Sequence, residues 1–256
     1  MRKIAFASIF ALILGLAVAA MAADLSADEV AKKTMERDEG LDKVETMKMT
    51  IVTSNGKTKE RTLQINKLYD DAGNMQLMRF VEPAKYKNYG FLSLQHKDGD
   101  DDRWMYMARQ KKTVRIESSN QNDSFMNSDL SYYDMSDHDA ADQTHELKGS
   151  AVIDGKDCWI LSSVPKDKEI EYSRIETWVW KDQYVPLRLK MYDANGQLIK
   201  EGTAQRIEQI NGFWTVMVLK IENVQQGSNT TLTILEIKHN QGLKPELFTL
   251  QQLENP

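Results

Sequence analysis

Six carboxylate and imidazole side chains fall within twelve consecutive positions, and they are the residues of this sequence best suited to chemistry. They are Asp134, Asp137, His138, Asp139, Asp142 and His145. Such side chains bind calcium or zinc, but their spacing here matches no recognised loop for either metal. A solvated acidic loop is the simpler interpretation, so no metal site is predicted.

A hydrolase would need a nucleophile paired with a base, and the sequence offers no motif that supplies one. None of its four histidines lies in a catalytic motif, and there is no Gly-x-Ser-x-Gly element. A phosphate-binding glycine loop and a dinucleotide fingerprint are also missing. We therefore predict no enzymatic activity and no cofactor. A secreted enzyme of unknown type is the alternative, and it would require a cleft with perturbed titrating groups.

Alternating apolar residues and turn signals predict the strands that would position these side chains. Met47, Met49 and Ile51 alternate with polar residues, and after Asn55-Gly56 the pattern returns on a second strand. Further strands are predicted near residues 75–82, 90–97, 102–108, 113–117, 144–153, 158–164, 174–181, 185–192, 198–208, 213–223 and 230–239. This pattern predicts a mainly β fold: one large curved antiparallel sheet, an incomplete barrel, with a few covering helices.

One amphipathic helix is predicted at residues 27–38. Ser26 and Glu29 form a capping box, and apolar residues follow at helical spacing. Because the apolar stripe is narrow, we expect the helix to lie against an edge or a face of the sheet.

The segment from Ser118 to Gln143 is long and polar but keeps large apolar side chains. They are Phe125, Met126, Leu130, Tyr132, Tyr133 and Met135. Their density argues against disorder, and ordered loops of this length are usually functional. With Ser128 as its cap, a helix from Asp129 to about Met135 is predicted across the open mouth of the sheet. The alternative is a surface loop that tucks its aromatic residues into a structural core.

The first residues predict the destination of the protein. Arg2 and Lys3 precede an apolar run, and Ala20-Met21-Ala22 has the pattern of a cleavage site. We expect residues 1–22 to be a cleaved signal peptide, 23–256 to form a single domain, and the mature protein to be periplasmic without stable membrane insertion. Loss of the two basic residues changes the net charge from −5 to −7. That charge argues against nucleic acid as a partner.

Three motifs carry a resemblance to a known family: Asp102–Tyr106 (DRWMY), Val114–Ile116 (VRI) and Asp123–Met135 (DSFMNSDLSYYDM). They resemble the outer-membrane lipoprotein-sorting proteins of the LolA-like superfamily, in particular the branch associated with membrane-embedded exporters. This sequence departs from the family pattern at Asn127, where glycine is usual, and at Met105, where leucine is commoner. Asparagine tolerates positive φ, so we expect the turn at Asn127 to form.

The resemblance implies a carrier that shields acyl chains of a lipid or lipoprotein between the inner and outer membranes, with an inner-membrane transporter as a partner. The many methionines suit such a cavity because their side chains adapt to flexible chains, although they suit an irregular core equally. The predicted cavity and lid residues are Met47, Met49, Ile51, Trp104, Tyr106, Phe125, Met126, Leu130, Tyr132, Tyr133 and Met135. A sensor or interaction protein that uses the same fold without cargo is the alternative. If the lid is separate from the core, replacing Phe125 and Met126 with serine should weaken uptake of acyl chains and leave thermal stability nearly unchanged.

Overall fold

The computed structural model describes residues 25–97 and 99–255, and the predicted signal peptide lies outside them. In that part of the chain, thirteen strands form one antiparallel sheet. They are β1 (Asp42–Val52), β2 (Thr58–Leu68), β3 (Met75–Glu82), β4 (Gly90–Leu94), β5 (Asp102–Met107), β6 (Lys112–Arg115), β7 (Gln143–Ile153), β8 (Lys156–Pro165), β9 (Arg174–Trp180), β10 (Pro186–Tyr192), β11 (Leu198–Ile210), β12 (Phe213–Asn223) and β13 (Ser228–His239). The helices are α1 (Ala27–Met35) and α2 (Leu250–Glu254). No helix among the described residues is long and apolar enough to span a bilayer.

The sheet consists of two meanders that meet where the first and last strands pair. Its order is β6-β5-β4-β3-β2-β1-β13-β12-β11-β10-β9-β8-β7, so β6 and β7 are unpaired edges and the sheet is not closed into a barrel. Tight turns connect the neighbours as predicted. Asp154-Gly155 and Asn211-Gly212, for example, have positive φ at both residues, which suits a two-residue hairpin. The predicted mainly β fold is confirmed.

Residues 116–142, which we call the cover segment, connect the two edge strands. Because β6 and β7 lie at opposite ends of the sheet order, this segment crosses one face of the sheet. We call it the covered face. It carries Met49, Ile51, Leu63 and Ile65, which pack with Phe125 and Leu130 of the cover segment. The sheet interior is therefore closed by chain that belongs to neither meander.

Helix α1 covers the far end of the same face. The predicted capping box is present: Ser26 Oγ accepts a hydrogen bond from the Glu29 amide, and the Glu29 carboxylate accepts one from the Ser26 amide. Val30 and Ala31 are buried against Leu161 of β8 and Val179 of β9. The helix ends at Met35, three residues before its predicted end.

The opposite face is covered near β3–β5 by the C-terminal segment. Leu253 of α2 is buried with Leu77, Leu92 and Tyr106. At Gly90 a Cβ atom would lie 2.6 Å from the Leu253 Cδ1 atom, so a side chain there would force the Leu253 side chain to move. Helix α2 was not predicted, because five residues give too short a pattern to detect.

Candidate functional site

Apolar side chains of β1–β5 and β12 form a continuous patch on the covered face. The buried members from the sheet are Met49, Ile51, Leu63, Ile65, Met78, Phe80, Phe91, Met105 and Ile221. Three of these nine residues are methionines, whose flexible side chains can adjust to a neighbour of irregular shape. The patch is a surface onto which apolar groups of varied form can pack.

Phe125 of the cover segment fills the centre of this patch. It is fully buried, and its ring centroid lies 6.0 Å from that of Phe80, 5.6 Å from that of Phe91 and 5.7 Å from that of Tyr132. Leu130 is also buried there, while Met126, Tyr132 and Met135 are partly buried around it. The cover segment thus acts as the second layer of the apolar core.

The predicted helix from Asp129 to Met135 is wrong. The cover segment instead folds back in tight turns, with a 3-10 turn at Phe125–Asn127 and a β-bridge between Ser124 and Ser131. Ser128 does not begin a helix but follows the 3-10 turn, and its hydroxyl donates a hydrogen bond to the Phe125 carbonyl at 2.7 Å. These turns direct Phe125 and Leu130 to the same side of the segment.

The turn at Asn127 supports a first test. Asn127 has a φ of 57°, in the left-handed region. This agrees with the glycine that is usual at this position in the family pattern. Asn127→Gly should change the free energy of unfolding by less than about 0.5 kcal/mol, because glycine adopts this conformation without strain. Asn127→Val should cost about 1–2 kcal/mol, since a β-branched side chain clashes there. Urea denaturation of both variants measures this; unfolding of the glycine variant would contradict the turn assignment.

Polar contacts at the margins of the apolar patch hold the cover segment to β13. Asp129 is 6% exposed, and its carboxylate accepts hydrogen bonds from the Thr230 hydroxyl at 2.6 Å and from the Ser228 hydroxyl. Its amide donates to the Thr230 oxygen at 3.0 Å. Each of these contacts involves at least one side chain, so the segment does not pair with β13 as a further strand at this point.

A buried ionic cluster fixes the segment to β11. The Lys200 ammonium lies 3.0 Å from Asp134 and 3.2 Å from Glu171, and it donates to the Tyr172 hydroxyl at 2.6 Å. Tyr172 in turn donates to Asp134 at 2.9 Å. Burial and the negative charge of Asp134 raise the pKa of Tyr172 well above its ordinary value, so the phenol stays protonated and remains a donor.

The other end of the segment is held to β2, β3 and β5. Asp137 lies 2.5 Å from the Lys67 ammonium. Burial raises the pKa of Asp137, but the charge and hydrogen bond of Lys67, together with the charges of Lys43 and His138, lower it overall. Gln76 Nε2 donates to the Met135 carbonyl at 3.0 Å, and Arg103 Nε donates to Ser136 Oγ at 2.8 Å. Every one of these partners lies in the sheet.

The acidic and imidazole cluster therefore has a structural role. Asp134 and Asp137 pair with lysines, Asp142 caps a turn through the Asp139 amide, and His145 contacts Ser163. In residues 25–97 and 99–255, no three such side chains are arranged to hold a metal ion. The solvated-loop interpretation is also wrong for Asp134, whose side chain is buried.

We expect His138 to make the stability of the cover segment depend on pH. Its ring stacks on that of Tyr133 at 3.9 Å between centroids, and its Nε2 atom is 3.0 Å from the Tyr133 carbonyl. Burial lowers the pKa of His138 below 6.5, while the facing Asp137 opposes the shift and Arg103 adds to it. As pH falls below 6.5, His138 takes up a proton more readily in the unfolded chain than in the folded protein. The free energy of unfolding therefore decreases as pH falls from 6.5 through the folded-state pKa of His138.

We expect His138→Phe to flatten the loss of stability between pH 6.5 and the folded-state pKa of His138. Urea unfolding measured at half-unit steps of pH tests this. His96→Gln is the control, because His96 is exposed and lies outside the cover segment. An unchanged slope in the His138 variant would assign the pH dependence to other groups.

The structure brings most of the predicted site residues together, with a correction. Met47, Met49, Ile51, Phe125, Met126, Leu130, Tyr132 and Met135 belong to one apolar cluster on the covered face. Trp104 and Tyr106 lie on the opposite face with Leu92 and Phe248, so their assignment to this surface is wrong. Met105 and Met107 take their place. Tyr133 lies in a neighbouring cluster with Tyr172 and Met191.

An open cleft of about 850 Å³ lies beside the cover segment. Among its lining residues are Glu39, Lys67, Tyr69 and Asp137. Glu39 pairs with Arg37 and Lys43 and accepts a hydrogen bond from Tyr69. Burial raises the pKa of Tyr69 to about 12. The cleft therefore contains several charged side chains, whereas Phe125 and Leu130 fill the apolar space beneath the cover segment.

Solved structures share this arrangement over nearly its whole length. A protein from Vibrio parahaemolyticus, described as an outer membrane lipoprotein-sorting protein domain, is 28% identical, with a TM-score of 0.84 over 89% of this chain and 97% of that chain. A DUF1329 family protein from Desulfovibrio piger is 30% identical, with the same TM-score and the same coverage. The chain belongs to the DUF1329 family. A family model described as "uncharacterized protein" also matches residues 72–255 of the present chain.

The fold of the present chain is LolA-like. A LolA superfamily protein from Nitrosomonas europaea has a TM-score of 0.70 at 17% identity, over 89% of this chain and 99% of that chain. The resemblance to outer-membrane lipoprotein-sorting proteins, read from the three sequence motifs, is confirmed. A search of curated proteins finds no match.

Proposed function

We propose that this DUF1329 protein is a periplasmic carrier that shields the acyl chains of a lipid or lipoprotein between the inner and outer membranes. The covered face holds the chains, and the cover segment moves aside to admit them. A membrane transporter is the partner that loads or unloads the cargo. The lipoprotein-sorting description of the structure from Vibrio parahaemolyticus supports this role.

One observation carries the proposal: the apolar patch is closed by a segment that side chains hold in place. Phe125 and Leu130 fill the patch, yet Asp129, Asp134 and Asp137 attach the segment through polar side-chain contacts at its margins. Exchange of Phe125 and Leu130 for acyl chains keeps the patch dry. Each methylene removed from water contributes about 0.8 kcal/mol, so acyl chains can compete with these side chains.

Native mass spectrometry of the mature protein, purified gently from its host envelope, tests the carrier function. We expect a bound species at one per protein, and organic extraction should identify it as a lipid or an acylated peptide. Asp129→Asn weakens the contact with Ser228 and Thr230, so it should raise the rate at which the empty protein takes up an acyl-chain probe. Asp38→Asn, an exposed carboxylate outside the cover segment, is the matched control.

The filled interior favours a second candidate, a sensor or interaction protein that binds an envelope partner without cargo. Under that function the cover segment is permanent core. A protein that carries no lipid when purified, and takes up no added lipid or lipopeptide in either variant, would support the second candidate against the first.

A further inference from the structure

Arg61 of β2 is a buried cation at the end of the apolar patch. It is 2% exposed, and it points to the covered face with Leu63 and Ile65, since alternate residues of a strand share a face. Its Nη1 atom lies 3.9 Å from the sulfur of Met49 on the adjacent strand. Its guanidinium carbon lies 4.9 Å from the centroid of the Tyr86 ring. Apart from a hydrogen bond to the neutral Tyr86 hydroxyl, the contacts of this charge are apolar or aromatic.

The guanidinium has no acidic partner within residues 25–97 and 99–255. Its Nε atom has no hydrogen-bond partner among those residues. The nearby carboxylates face elsewhere: Glu60 pairs with Lys48, and Glu82 accepts a hydrogen bond from Thr62. A buried charge without a partner is costly, so its presence points to a partner that the protein alone does not supply.

Arg61 lies near the space that Phe125 occupies. Phe80 lies between them, with its ring centroid 6.0 Å from that of Phe125 and 6.4 Å from that of Tyr86. Lys85 adds a second cation, since its ammonium lies 4.7 Å from the Tyr86 ring. A molecule whose chains replace Phe125 would therefore place its other end beside two positive charges.

We propose that Arg61, assisted by Lys85, binds the acidic head group of the acyl-bearing ligand. The proposal rests on the carrier function above and adds to it the charge class of the cargo. The planar guanidinium makes paired hydrogen bonds to the oxygens of a phosphate or a carboxylate. The same interaction explains why an arginine occupies a face that is otherwise apolar at this end.

Two probes with identical short acyl chains test the proposal on the delipidated, full mature protein. One is a diacyl phosphatidic acid, and the other is the neutral diacylglycerol. We expect the wild-type protein to bind the phosphatidic acid about ten-fold more tightly or better, because a hydrogen bond to a charged group contributes at that level. Arg61→Met should abolish the difference and leave diacylglycerol binding unchanged. Arg61→Lys should retain part of it, because it keeps the charge and loses the paired geometry.

Inorganic phosphate alone distinguishes a lipid head group from a free anion. We expect no competition from millimolar phosphate. Tight phosphate binding that Arg61→Met removes would overturn the lipid assignment in favour of a free-anion site. Equal binding of both lipids by the wild-type protein would overturn the role of Arg61 while the carrier function stands. Failure of both lipids and of an added lipopeptide to bind would overturn the carrier function itself. If Arg61→Met fails to fold, the wild-type and Arg61→Lys comparison still decides.

Discussion

Lys200→Met should lower the free energy of unfolding by about 3–5 kcal/mol, because it leaves a buried carboxylate without its counter-charge. Lys200 is 5% exposed, and its ammonium holds Asp134 and the Tyr172 hydroxyl. Water does not reach this cluster easily, so solvation cannot replace the lost contacts. Equilibrium urea denaturation measures the change, and limited proteolysis within residues 116–142 reports whether the cover segment is released.

Lys220→Met is the matched control for Lys200→Met. Lys220 lies on the neighbouring strand β12 and pairs with Glu222 at the surface. Exposed pairs of this kind contribute about 0–1 kcal/mol, so the control should change little. Addition of Asp134→Asn to the Lys200 variant should recover part of the loss, because it removes the stranded charge. A loss below about 1 kcal/mol in Lys200→Met would show that this ionic cluster does not hold the cover segment.

Phe125→Ala, made alone, should lower the free energy of unfolding by about 3–5 kcal/mol, because truncation of a fully buried aromatic ring leaves a cavity. This differs from the expectation based on sequence, in which replacement of Phe125 and Met126 with serine weakens acyl-chain uptake and leaves thermal stability nearly unchanged. The contacts with Phe80, Phe91 and Tyr132 make the ring part of the core when the protein is closed. Thermal and urea unfolding measure the effect, with the partly buried Met126→Ala as the smaller control.

The Phe125→Ala variant also distinguishes a movable cover segment from one that is a permanent part of the core. The cavity left by Phe125→Ala is apolar, and such cavities bind apolar ligands. If acyl chains normally occupy this space, an acyl-chain probe should bind the variant and restore part of its stability in proportion to ligand concentration. A variant that is destabilised and takes up no probe would identify Phe125 as ordinary core.

The sequence predicted the strands well because each is bounded by a strong local signal. Asn-Gly and Asp-Gly pairs mark hairpins through the φ angles that they require, and the capping box marks the start of α1. These signals depend on a few neighbouring residues, so they can be recognised in one sequence without knowledge of the fold. The presence of a long covering segment was also predictable, because apolar residues persist in an otherwise polar loop.

The faces of the sheet were not predictable in the same way. Strand β5 is apolar on both sides: Met105 packs under the cover segment, and Trp104 and Tyr106 pack under the C-terminal segment. A strand that is covered on both faces has no polar side to orient it. The sequence therefore could not assign Trp104 to its face without knowledge of what lies over it.

The role of the acidic residues was hidden for a different reason. Asp134 and Asp137 find their partners in Lys200 and Lys67, which are 66 and 70 positions away in the chain. No local pattern joins residues at such a distance. The failed helix prediction has a related cause, because the side chain of Asp129 binds β13 and the segment turns back to reach it.

The pairing of β1 with β13 sets the order in which the molecule can assemble. Each meander forms through hairpins between consecutive strands, which close short loops and form quickly. Met47 and Ile234 pair across roughly 190 positions, so the junction between the halves closes slowly and late. Asp129 and Asp134 bind strands of the second half, whereas Gln76 and Lys67 of the first half bind Met135 and Asp137. The segment that closes the apolar face contacts both halves, so we expect it to lock only after they have met.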